Sequence, residues 1–162
     1  MIFTLDEWIQ IIAGALGTLG FAVLFNVRGK RLLAGTIGGL LAWTVYVALG
    51  YAIASPILRY FIVSVVTSTY SEVFARVMKT PRTTFLLVTL IPLVPGSSLY
   101  YTMSYALDSS MGDFLSKALY TAELSAALAL GIVVVAAISR SITAVQSKKR
   151  KKLLAEQAKE NQ

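Results

Sequence analysis

The stretch TLIPLVPGSSLYYTMSYAL, Thr89 to Leu107, decides how this chain is read. It is an apolar run of membrane-crossing length, interrupted by Pro92, Pro95 and Gly96. Proline removes a backbone donor and clashes with the preceding turn, so two of them break a helical ladder. In hydrocarbon an orphaned backbone group costs several kcal/mol, so such a break persists only where protein or a polar cavity satisfies it. The residues after the break, Gly96-Ser97-Ser98, then form the N-terminus of a half-helix, with Tyr100 and Tyr101 one turn on. A half-helix N-terminus offers amides and a positive dipole end to an anionic group. The pattern therefore marks Gly96, Ser97, Ser98, Tyr100 and Tyr101 as candidate substrate-binding residues. The alternative is a plain proline kink.

Working outward, four more apolar runs flank this one. They cover about 8–25, 32–54, 57–78 and 114–139, with the broken run at 84–107. At ~20 residues per crossing, the expectation is an all-α, polytopic membrane bundle of about five transmembrane helices, residues 1–146. A basic tail, 147–162, follows, headed by SKKRKK. Composition agrees: of 162 residues 56% are hydrophobic and only 14% charged, where a soluble domain carries about a quarter charged. Asp6 and Glu7 precede the first run and no basic stretch does. It therefore reads as a span and not as a cleavable leader.

Charge orients the bundle. With the tail inside, the inner segments hold 13 of the 15 Lys and Arg, leaving Arg59 and Lys117 in the outer half. Asp6, Glu7, Asp108 and Asp113 fall outside. The positive-inside bias thus predicts an N-terminus outside and a C-terminus in the cytoplasm. The same placement of cations at span ends explains the net charge of +7 without nucleic acid.

Two features inside the spans carry chemistry. Tyr60, Ser64, Ser68, Glu72 and Arg76 recur every four residues, and Thr67 and Ser71 widen the stripe. Such a stripe faces a bundle interior or a partner, not lipid. Glu72 and Arg76 stand as an i,i+4 ion pair. An intramembrane carboxylate is also a candidate for proton or ion coupling. Glu123, about 13 Å into the fifth run at ~1.5 Å per residue, reads as a second buried acid with the same two roles open: coupling, or a neutral hydrogen bond between helices. Small residues (Ala13, Gly14, Gly17 and Gly20, then Ala34, Gly35, Gly38 and Gly39) favour close helix packing.

Cys and His are both absent and the eight carboxylates are scattered. No nucleophile–base pair, metal site or cofactor is expected, so the chain does not read as an enzyme.

Finally, TSTYSEVFARVMKTPRTTFLLVTLIPLVPGSSLYYTM, Thr67 to Met103, resembles the small-subunit, or C-terminal, module of the threonine/serine exporter family. The resemblance lies in Ser71-Glu72, Ala75-Arg76, Pro81, Ile91 to Gly96 and the following Tyr100 or Tyr101, with Asn26 in the first turn. It implies proton-driven export of threonine, serine or related small carboxylates across the cell membrane. It also implies a larger exporter-family subunit as partner in a hetero-oligomer. A non-transporting scaffold or assembly subunit, its stripe docking a partner, is the alternative.

Overall fold

The computed structural model describes residues 4–108 and 110–160, with 146–160 as helix backbone only. It is all-helical, and among the described residues there is no strand. Six α-helices follow in order: α1 (Leu5–Leu24), α2 (Lys30–Gly50), α3 (Pro56–Val77), α4 (Arg82–Leu90), α5 (Gly96–Leu107) and α6 (Met111–Glu160). A 3-10 turn, Ile91–Leu93, separates α4 from α5.

The boundaries have local causes. Glu7 accepts the Thr4 amide at 2.7 Å, tying the first turn of α1. α1 ends with Asn26 at φ 57°. There the Asn26 amide bonds Val23 O and the Val27 amide bonds Ala22 O, the double bond pattern of a helix closed by a left-handed residue. Val27, Ala22 and Val88 bury one another beside it. α3 opens on Ser55-Pro56, with the Ser55 hydroxyl accepting the Leu58 amide. It closes by the same device as α1, with Lys79 at φ 48° and the Thr80 amide on Ala75 O.

α1, α2 and the Met111–Val145 part of α6 are each long and apolar enough to cross a membrane. α4 and α5 count as a fourth span if their bent pair is taken as one. α3 has 22 residues, about 33 Å, but its serines, threonines, Glu72 and two arginines keep it below that apolar standard. Of the five expected spans, three are thus plain helices and a fourth is the bent pair, while α3 falls short of the standard.

Packing fixes the directions. Tyr60 meets Leu124 and Ala127, Ser64 meets Gly131, Glu72 meets Ser139 and Arg76 meets Thr143. Residue numbers rise together, so α3 and α6 lie parallel. α4 runs the other way: Phe85 packs near Ala75, Thr89 meets Ser71 and Leu93 meets Val63. The α1–α2 turn and the α3–α4 turn therefore share one end of the bundle, here called the basic end. Thr4, Tyr51 and Ser55 mark the opposite end.

Glycines let these helices touch. A methyl at Gly39 would lie 2.1 Å from Thr18 Oγ1, and one at Gly38 2.3 Å from Thr89. On α1 only Gly14 has this role, against Trp43. Gly17 and Gly20 have nothing within 4 Å, so those two small residues face outward. α6 continues unbroken to Glu160. The expected basic tail thus prolongs the helix, with its side chains and residues 161–162 outside the described set.

Candidate functional site

The polar stripe of α3 is buried as its spacing demands. Ser64, Thr67, Ser68 and Ser71 are each 0% exposed. Most of the hydroxyls satisfy themselves locally, a requirement in a low-dielectric interior. Ser64 donates to Phe61 O at 2.8 Å, Ser71 to Thr67 O at 2.9 Å, and Thr67 to Val63 O. Ser71 also meets Thr89 Oγ1 at 3.0 Å, joining α3 to α4. The Ser68 hydroxyl is buried with no hydrogen-bond partner among the described residues.

At the basic end the stripe finishes in a charged knot. Arg76 Nε and Nη2 donate to Glu72 Oε1 at 3.0 and 2.9 Å. Arg82 Nε stands 3.4 Å from Glu72 Oε2. Ser139 donates to Glu72 Oε1 at 2.5 Å. Arg76 Nη2 in turn reaches Ser139 Oγ at 2.9 Å and Thr143 Oγ1 at 3.3 Å. One carboxylate is therefore held by two guanidiniums and a hydroxyl. A groove of about 320 Å³ between α3 and α6 opens beside it, floored by Glu72, Thr69 and Ser139 and walled by Val65, Val134 and Ile138.

Spacing along α3 revealed the Glu72–Arg76 pair, but not its other members. Ser139 and Thr143 stand four apart on α6, the same period as the α3 stripe. That period was the available signal. Arg82 had none, because its approach depends on how the α3–α4 turn closes.

The broken helix lies near the middle of the bundle. Leu93 is fully buried with Val63, in the third turn of α3, and with Ala42, near the middle of α2. α5 leaves α4 at 59° and packs chiefly on α6. Pro92 wedges the break against α1, near Gly14, and Pro95 is buried.

The five candidate residues of α5 divide. Gly96 and Ser97 are exposed at its N-terminus. The Gly96 amide, expected to be free, is taken by Val94 O at 2.7 Å. The Leu99 amide bonds Pro95 O at 3.0 Å, so the amides of Ser97 and Ser98 are those the first turn leaves open. The Ser98 hydroxyl is buried against Thr121 at 2.7 Å, with Thr102 3.2 Å from the same Thr121. It knits α5 to α6. Tyr100 and Tyr101 are exposed, and Lys117 lies over the Tyr101 ring at 5.8 Å.

Glu123 is corrected. It was expected to be buried, yet it is exposed beside Ser55 and Leu58. Thr121, Leu124 and Ala127 form the buried face of α6. One residue turns the helix by about 100°, which carries Glu123 off that face. It stands far from Glu72, at the other end of the bundle.

A family described as Threonine/Serine exporter, ThrE, matches residues 10–138, from α1 through most of α6. The chain belongs to that family. Membership of the threonine/serine exporters supports a transporter-type function. The match includes the polar stripe, Arg82 and the whole break. No curated protein and no solved structure matches the exporter chain significantly.

Proposed function

We propose that this family member is a cell-membrane subunit exporting threonine, serine or related small carboxylates, driven by the proton gradient. The observation that carries the reading is the break. α5 begins at exposed Gly96 and Ser97, and a helix start with open amides attracts a carboxylate. Its level, beside the middle of α1 and α2, suits a substrate station on the path across the bundle. Glu72, already paired with Arg76 and Arg82, is the carboxylate proposed for the coupled proton.

Orientation follows from the cations. Arg28, Lys30, Arg31, Lys79 and Arg82 cluster at one end of the bundle, which the positive-inside bias assigns to the cytoplasm. The N-terminus then lies outside. A larger family subunit completes the transporter. α5 supports this: Leu99, Tyr100 and Met103 are exposed on the side turned from α6.

The test is threonine efflux from loaded cells expressing this chain with and without a large-module partner. Efflux that requires both chains and collapses with the proton gradient is expected. Efflux unaltered by removing this chain would leave it a scaffold or unrelated to transport.

A further inference from the structure

Glu7 and Arg59 open onto one pocket at the end of the bundle opposite the Glu72 knot. It forms where α1 begins, α2 ends and α3 begins, and it encloses about 300 Å³. Gln10, Tyr46, Gly50 and Tyr51 supply its other walls, so polar and apolar surfaces share it. That size is the lower end of the range for small-molecule sites.

Both charged groups are held in place. Glu7 Oε2 accepts from Tyr51 Oη at 2.6 Å and from the Thr4 amide at 2.7 Å. Arg59 lies over the Tyr46 ring at 5.2 Å. That ring stacks on Trp43 at 5.1 Å and meets Tyr60 edge-on at 5.2 Å. The missing side chain of Gly50 leaves room for the guanidinium: a methyl there would come within 3.2 Å of Arg59 Nη1.

The guanidinium is nevertheless underused. Its one hydrogen bond among the described residues is a long one, from Nη2 to Ala54 O at 3.4 Å. Its Nε is buried and has no partner among the described residues. A buried N–H without an acceptor calls for an explanation, and a guanidinium fork matches a carboxylate. Across the pocket, Glu7 makes no ion pair with Arg59 among the described residues. The Glu72 knot is the contrast, since there the opposite charges meet directly. Here a cation and an anion face one space without touching. A ligand carrying both charges satisfies both walls, and one carrying a single charge leaves a wall unmatched.

We propose that this pocket binds the zwitterion of a small α-amino acid, its carboxylate on Arg59 and its ammonium on Glu7. The inference rests on the exporter reading and deepens it with a second station, at the exit end and distinct from the α5 N-terminus.

The test uses the full chain in lipid nanodiscs and equilibrium binding of labelled L-threonine. Competitors are 3-hydroxybutyrate, which lacks the ammonium, and threoninol, which lacks the carboxylate. Saturable threonine binding is expected, with either competitor weaker by about tenfold or more, the scale of one lost charge-assisted bond. Arg59→Gln and Glu7→Gln are expected to weaken threonine by a similar factor. Glu7→Gln keeps an acceptor for Tyr51 and Thr4, so the fold is retained. Gly50→Val fills the pocket without altering charge and is expected to block binding. Absence of saturable binding in the wild-type chain, or wild-type affinity in both charge variants, overturns the site. Efflux from cells is scored separately. Normal efflux with no pocket binding rejects the pocket alone, and pocket binding without any efflux rejects the exporter reading alone.

Discussion

Glu72 and Ser139, 67 positions apart, share a 2.5 Å hydrogen bond where α3 and α6 run side by side. The same offset of 67 joins Arg76 to Thr143. It also sets Ser64 against Gly131. A constant offset along three turns is the signature of two parallel helices in fixed register, and it makes the Glu72 knot part of the α3–α6 seam. Whatever Glu72 does in transport, it does while clamped between these helices.

Neutralising that carboxylate therefore has a structural cost. Glu72→Gln leaves Arg76 and Arg82 facing each other without their shared anion. Since Glu72 is only partly buried, with its side chain 19% exposed, a loss of about 1–2 kcal/mol is expected. Ser139→Ala is expected to cost less, because the ion pairs remain. A double-mutant cycle on thermal unfolding in detergent measures the coupling, expected at about 1 kcal/mol. Strictly additive effects would mean that the Ser139 bond contributes nothing. In efflux assays, Glu72→Gln separates roles: retained gradient dependence in a folded variant removes Glu72 from proton coupling.

Gly131 gives a sharper test of the seam. A methyl at this position would lie 1.7 Å from Ser64 Oγ and 3.0 Å from both Ser64 Cβ and Phe61 O. Gly131→Ala must push α3 and α6 apart, and overpacking of this kind costs about 1–3 kcal/mol. Ser64→Ala removes the nearest atom, so Gly131→Ala with Ser64→Ala is expected to recover part of the loss but not the Phe61 contact. Melting of the four variants checks this. A Gly131→Ala protein as stable as wild type would show that the seam is looser than described.

These cases also show what the sequence made legible. Periodicity placed Ser64, Ser68 and Ser71 on one inward stripe and paired Glu72 with Arg76, because both depend on a single helix and its 3.6-residue turn. Pro92, Pro95 and Gly96 announced the break for the same local reason. Facing was not local. The exposure of Glu123 depends on which face of α6 meets α3, and an apolar run reads alike on every face. Arg59 and Glu7 lie two helices apart in sequence, and no spacing rule brings them to one pocket.

The turn after α3 offers a stabilising change. Lys79 holds φ 48° to close the helix, a region in which a Cβ crowds the following carbonyl. Lys79→Gly relieves that strain and is expected to raise stability by about 1 kcal/mol, set against the extra backbone freedom glycine brings to the unfolded chain. Asn26→Gly at the matching position after α1 is expected to change less, since asparagine tolerates the left-handed region. Melting temperatures of the two variants decide it. A destabilised Lys79→Gly protein would show that the lysine side chain contributes more than its strain costs.

The break itself is the last test, and its residues do not respond alike. Pro92 packs near Gly14 and Pro95 is buried. Removing both prolines restores two backbone donors, but a straight helix would swing α5 by 59° and tear Ser98 from Thr121. It would also pull Leu93 from the buried cluster with Ala42 and Val63. Pro92→Ala with Pro95→Ala is therefore expected to remain bent and to lose about 1–2 kcal/mol, chiefly through the packing lost at buried Pro95. Gly96 differs. A Cβ there meets nothing within 4 Å, and its φ is not in the left-handed region. Gly96→Leu is thus expected to fold and insert like wild type while covering the amides of Ser97 and Ser98. Threonine efflux in that variant is the decisive measurement. A fall of about tenfold or more in apparent affinity, with unchanged melting, identifies the α5 N-terminus as a carboxylate station. Wild-type efflux from Gly96→Leu would reduce the break to a packing device that aims α5 along α6.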